Sequence, residues 1–163
     1  MRKTSAFTAI LLAGFAFVGA AMASPTVDIT IGAELQKKSK TYGPRELTYL
    51  SSDLQHSIES MSLRHAALQG AQFKLVIVDA KPNRPTFQQL GDTIGLSMFS
   101  IGVGGATLDG SVTYPGGRIQ PVKYSWYNYN ITDAVGSTTW TAAERAFDMF
   151  VFKVARDGAV TTR

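Results

Sequence analysis

The sequence predicts an α+β fold: a two-layer sandwich in which a mostly antiparallel sheet carries two helices on one face, in the order β-α-β-β-β-α. Three observations lead there. Several short stretches alternate apolar and polar residues with the period of two that half-buried strands require, and two longer ones repeat apolar residues every three or four positions, as amphipathic helices do. Each helix offers a single apolar stripe, which a sheet covered on one face buries most economically.

The chain opens with MRKTSAFTAILLAGFAFVGAAMAS, in which Arg2 and Lys3 precede an apolar run and Ala21-Met22-Ala23 supplies small residues at the end. That order reads as a secretory signal cleaved before Ser24, with an uncleaved anchor as the alternative. The expected location is therefore periplasmic or secreted, and the expected plan is a signal over 1–23 and one domain over 24–163. Removing 1–23 from the 163 residues leaves 140, a size that suits one compact domain. The full chain has a formal charge of +4, but two of its cations belong to the signal, so its charge gives little argument for nucleic acid. There is no cysteine. That excludes disulfides, a thiol nucleophile, a cysteine-held metal and a lipidated cysteine anchor.

Each element has its own signal. Val27, Ile29 and Ile31 alternate with Asp28 and Thr30, giving a first strand over 26–32, and the polar AELQKKSKTYG that follows reads as a solvated connector. Gly43-Pro44-Arg45-Glu46 starts a helix, because proline at the first position loses no useful N–H. Leu47, Leu50, Leu54, Ile58, Met61, His65 and Leu68 then fall on one face up to Gly70, with a break expected near Ser60-Met61-Ser62. FKLVIVDA is apolar on both sides and reads as a central strand. In 97–114 the apolar parity switches at Gly104-Gly105, which predicts a β-bulge there. Pro115-Gly116-Gly117 turns the chain into a returning strand over 118–128, where Pro121 implies an edge or an irregularity. Thr141-Ala142-Ala143-Glu144 reads as a capping box opening the last helix, with Ala143, Phe147, Phe150, Val151 and Val154 inward, Met149 and Phe152 outward, and Gly158 as its close.

The order of these elements, with the glycine-rich hairpin SIGVGGATLDGSVTYPGGRI, resembles the small exported envelope domains of bacteria that are similar to the TolB amino-terminal domain and to curli-secretion-like lipoprotein domains. The resemblance implies a binding or assembly role in the cell envelope. It carries over no catalytic residue.

Catalytic motifs fail on their own chemistry. Gly95-Leu96-Ser97-Met98-Phe99 lacks the final glycine of a nucleophile elbow, and Gly102-Val103-Gly104-Gly105-Ala106-Thr107 runs into a strand where a dinucleotide loop needs a helix. Asp53, His56 and Glu59 could form a metal row on one helix face, but the favoured reading is a solvated face with local ion pairing. No cofactor is expected. The favoured reading is a non-enzymatic domain that binds an envelope protein or cell-wall component through the 80–96 loop and the adjacent strand ends, where Asp79, Lys81, Asn83, Arg84 and Gln88 are the expected contacts. Asp79 is expected to continue the Phe73, Leu75, Ile77 side and to brace the loop through its backbone or Arg84. The alternative is a glycan- or small-ligand module using the aromatic strand 124–130, with Tyr127 and Tyr129 on the face away from the core.

Overall fold

The computed structural model describes residues 23–157 and 160–161. The expected signal, apart from Ala23, and the expected helix end at Gly158 lie outside the described residues. The strands β1 (Thr26–Ile31), β2 (Gln72–Lys81), β3 (Gly105–Thr113) and β4 (Ile119–Tyr127) form a mixed sheet in that order, and a two-residue β5 (Val160–Thr161) extends it beyond β4. β1 runs parallel to β2, and β5 parallel to β4; the two central pairings are antiparallel. The α+β two-layer plan is therefore observed, and it gains elements the sequence did not announce.

The connector expected over 33–43 folds into α1 (Ala33–Lys37) and α2 (Ser39–Tyr42), because Leu35 and Tyr42 are buried in the core and hold the polar residues between them against it. α3 (Pro44–Ser62) has Pro44 in its first turn and buries Leu47, Leu50, Leu54 and Ile58. It ends at the expected break, followed by a short 3-10 turn over Ala66–Leu68. α5 (Thr141–Asp157) contributes Ala143, Phe147, Phe150, Val151 and Val154 to the same core, where they meet Phe73, Leu75, Ile77, Leu108, Val112 and Tyr124 of the sheet. The opposite sheet face carries the exposed Asp28, Lys74, Asp109, Lys123 and Ser125.

β3 begins at Gly105, not near 97, so the parity switch in the sequence marks the start of the strand. The bulge lies across from it. Ile77 pairs with Leu108 and Asp79 with Thr107, which leaves Val78 as the extra residue of β2. That single residue returns Ala80 to the core and turns Asp79 to the open face, so Asp79 does not continue the Phe73, Leu75, Ile77 side. Gly105 answers to the approach of β4, since a Cβ there would stand 2.3 Å from the carbonyl oxygen of Trp126.

α3 and α5 run side by side in the same direction, joined by Tyr49 Oη donating to Glu144 at 2.6 Å and by Ser57 Oγ donating to Asp148 at 2.7 Å. Asp53 sits between these contacts with Oδ2 buried and without a hydrogen-bond partner. Burial, then the Glu144 and Asp148 charges, push its carboxyl up to about 6 from 3.8. The folded state thus holds a proton that the unfolded chain releases, and stability falls as pH rises from about 4 through about 6. Thermal unfolding followed against pH should show this decline. Asp53→Asn should flatten it and raise the melting temperature by several degrees at pH 7; an unchanged profile would remove Asp53 as its source.

Candidate functional site

β2 leaves the sheet at Lys81 and enters the loop whose residues were the expected contacts. Asn83 is only 1 % exposed. Its Oδ1 accepts from the Ala142 backbone N–H at 2.7 Å, its Nδ2 donates to the Gly102 carbonyl at 3.3 Å, and its own N–H donates to Thr139 at 2.7 Å. One buried amide therefore caps α5 and ties together the chain near 83, 102 and 139. Gly104 makes room for it, because a Cβ there would lie 2.6 Å from Oδ1.

The expected capping box of α5 does not close. Glu144 N–H donates to the Trp140 carbonyl, while Thr141 Oγ1 accepts from Thr138 N–H at 2.9 Å. The cap comes instead from Asn83, and Asn83 is a bracket with no free surface for a partner. Arg84 is a second bracket, donating through Nε to Ser137 O at 2.5 Å and through Nη1 to Met98 O at 2.8 Å. It is not paired with Asp79.

Asp79, Lys81 and Tyr127 are brought together on the open sheet face. Asp79 pairs with Lys38 at 2.5 Å and accepts from Tyr127 Oη at 3.0 Å. Thr107 Oγ1 lies 3.1 Å from the same hydroxyl, and Lys81 Nζ stands 5.3 Å from the Tyr127 ring centroid. Burial opposes the charge on Lys38, but the Asp79 hydrogen bond and the fields of Tyr42 and Asp79 outweigh it, so its pKa is raised. Burial, reinforced by Asp79 against the Thr107 hydrogen bond, pushes the Tyr127 phenol up to about 12. The cluster holds α1 to the sheet, and its tyrosine stays neutral in ordinary conditions.

Beyond the brackets the surface changes character. α4 (Phe87–Asp92) starts with a capping box in which Gln89 N–H donates to Thr86 Oγ1 at 3.2 Å and Thr86 N–H to Gln89 Oε1 at 3.0 Å. It buries no residue. Gln88 is exposed on it and donates to Asp92 at 2.6 Å. Phe87 is 79 % exposed and Phe99 87 %, with Ile94 and Met98 also in solvent. The segment after β4, tied to this loop by Arg84 and Asn83, adds Tyr129 at 96 % together with Val135. A depression of about 240 Å³ beside the loop is walled by Tyr49, Phe87, Met98 and Trp140 and by Glu46 and Glu144. Glu46 accepts from the Trp140 indole at 2.6 Å.

Of the residues expected as contacts, Asn83, Arg84 and Asp79 are engaged internally, while Lys81, Gln88 and Tyr129 face out. Thr86-x-x-Gln89 was a legible capping signal; Phe87, Ile94, Met98 and Phe99 carried no period that would set them apart. Among the described residues no group of three His, Asp or Glu side chains is arranged to hold a metal, and no helix is long and apolar enough to cross a membrane.

Removing the Asn83 amide should leave the Ala142 N–H buried and unpaired, at a cost of about 1–3 kcal/mol. Denaturant unfolding of Asn83→Ala should show that loss and Gly104→Ala one of similar sign, whereas Gln88→Ala should unfold as the parent does. Equal stability of all three would contradict the bracket.

Comparison of the chain with family models, with curated proteins and with solved structures gives no match, so a functional reading of this site has only its own residues to stand on.

Proposed function

We propose that this protein is a non-catalytic exported domain that docks another protein of the cell envelope through the loop end formed by 82–104 and 129–135. The observation that carries this reading is a set of large apolar side chains, Phe87, Ile94, Met98, Phe99 and Tyr129, held in water on a frame locked by buried hydrogen bonds. A chain that only connected β2 to β3 would gain by turning Phe87, Ile94, Met98 and Phe99 inward. Apolar groups grouped on a braced loop are the composition of a recognition surface, since bracing lowers the entropy lost on binding. The neighbouring depression with aromatic walls and two carboxylates supplies a seat for a protruding partner side chain. A protein partner is favoured over a glycan because Tyr127 has its hydroxyl engaged and Lys81 over its ring, leaving Tyr129, beyond the end of β4, without Tyr127 as a second platform.

The test is crosslinking in intact cells followed by recovery of the attached protein. Phe87→Ser with Phe99→Ser should abolish recovery of a specific partner while the melting temperature stays within a few degrees of the parent. Undiminished recovery with the double variant would sink the proposal.

A further inference from the structure

Away from the loop end, a second concavity follows the outer seam between α3 and α5. It is an open groove of about 720 Å³ whose apolar lining is Met61, Met149 and Phe152, with Arg64, Lys153 and Arg156 among its other residues. That volume lies within the range of sites that hold small molecules. Met149, expected to point outward, is partly buried against the core, and Phe152 remains 47 % exposed. The Arg156 guanidinium stands 5.7 Å from the Phe152 ring centroid, so the cation and the apolar lining are contiguous.

The charges are not evenly spread. Arg64, Lys153 and Arg156 line the part where both helices finish, Lys153 with its Nζ 5.2 Å from the Tyr124 ring centroid, while Asp148, its carboxylate accepting from Ser57, belongs to the earlier part of the seam. From Asp148 to Arg156 the groove follows eight residue steps of α5, roughly 12 Å at the helical rise. Complementing the α5 C-terminus accounts for Lys153 and Arg156 being basic. It does not account for an open apolar lining leading up to them.

We propose that this groove binds a single-chain anionic amphiphile, with its tail along Met61, Met149 and Phe152 and its carboxylate or phosphate head among Arg64, Lys153 and Arg156. An acidic peptide helix would carry charge along its length. Cations gathered at one end, with a carboxylate toward the other, match a molecule with one charged head and a tail of about 12 Å. The site is separate from the loop end and does not depend on the docking function proposed for it.

The protein labelled with ¹³C at its methionine methyls tests this directly, because Met61 and Met149 report the groove and Met98 reports the loop end. Titration with dodecanoate and with dodecyl phosphate, below their micelle concentrations, should shift Met61 and Met149 saturably and leave Met98 in place. The two anions together show whether the head must be a carboxylate or a phosphate. Dodecyltrimethylammonium, with the same tail and the opposite charge, should bind at least roughly tenfold more weakly. Arg64→Glu with Lys153→Glu should reverse that preference, and Lys153→Gln alone should weaken dodecanoate binding severalfold if the double variant does not fold. Equal responses to both head charges, a shift of Met98 alongside the others, or a response confined to an acidic amphipathic peptide would each overturn the proposal.

Discussion

The end of the molecule that carries the exposed loop depends on one buried amide. Asn83 is removed from water, a placement that is costly for a polar side chain unless its groups find partners. Here they do: Oδ1 meets the α5 N-terminus, Nδ2 meets Gly102, and the main chain meets Thr139 and Gly102. The arrangement supplies α5 with an acceptor its own sequence does not provide at that N–H. It also fixes where the 83–104 segment leaves and re-enters the sheet. Arg84 then carries the same constraint outward by joining Met98 to Ser137.

On this frame the molecule separates holding from presenting. Polar side chains near the loop base are satisfied internally, while Phe87, Ile94, Met98 and Phe99 remain in water. The α3–α5 seam has a comparable division along its length. Asp53, Glu144 and Asp148 crowd its earlier part, and cations occupy the region where the helices finish. The crowding raises the Asp53 carboxyl and makes the seam a place where stability is given up at neutral pH. The two concave regions thus differ in chemistry: acidic and aromatic beside the loop, basic with methionine and phenylalanine at the far end of the helices.

Most of the layer architecture was legible because burial imposes a period. The β1 alternation, the Leu47–Leu50–Leu54–Ile58 stripe and the Phe147–Phe150–Val151–Val154 stripe each read correctly from spacing alone. Short elements were not legible in the same way. α1 and α2 are anchored by Leu35 and Tyr42, too few residues to establish a period before their partners are known. The bulge was placed on the wrong strand because a parity change in β3 looks the same whether the strand bends or simply begins. That error propagated to Asp79, whose facing is set by Val78, and so to its expected partner Arg84. In the loop, Asn83 and Arg84 were picked out as polar residues on a surface connection, whereas their hydrogen bonds lie 19 to 59 positions away in sequence for Asn83 and 14 to 53 for Arg84. Such partners are visible only once the chain has folded.

The span of the Asn83 bond also bears on the order of assembly. Its acceptor and the α5 N–H are separated by 59 positions, and β1 joins β2 across a comparable gap from Thr26 to Gln72. Closing loops of that length carries an entropic cost before any native contact offsets it. The β2–β3–β4 meander, whose strands are nearer in the chain, can form with smaller closures. The C-terminal helix, in contrast, gains its cap only when β2 has delivered Asn83 to the position cleared by Gly104. The start of α5 and the exit of the outward-facing loop are thus coupled through a single side chain that neither segment's local sequence announces.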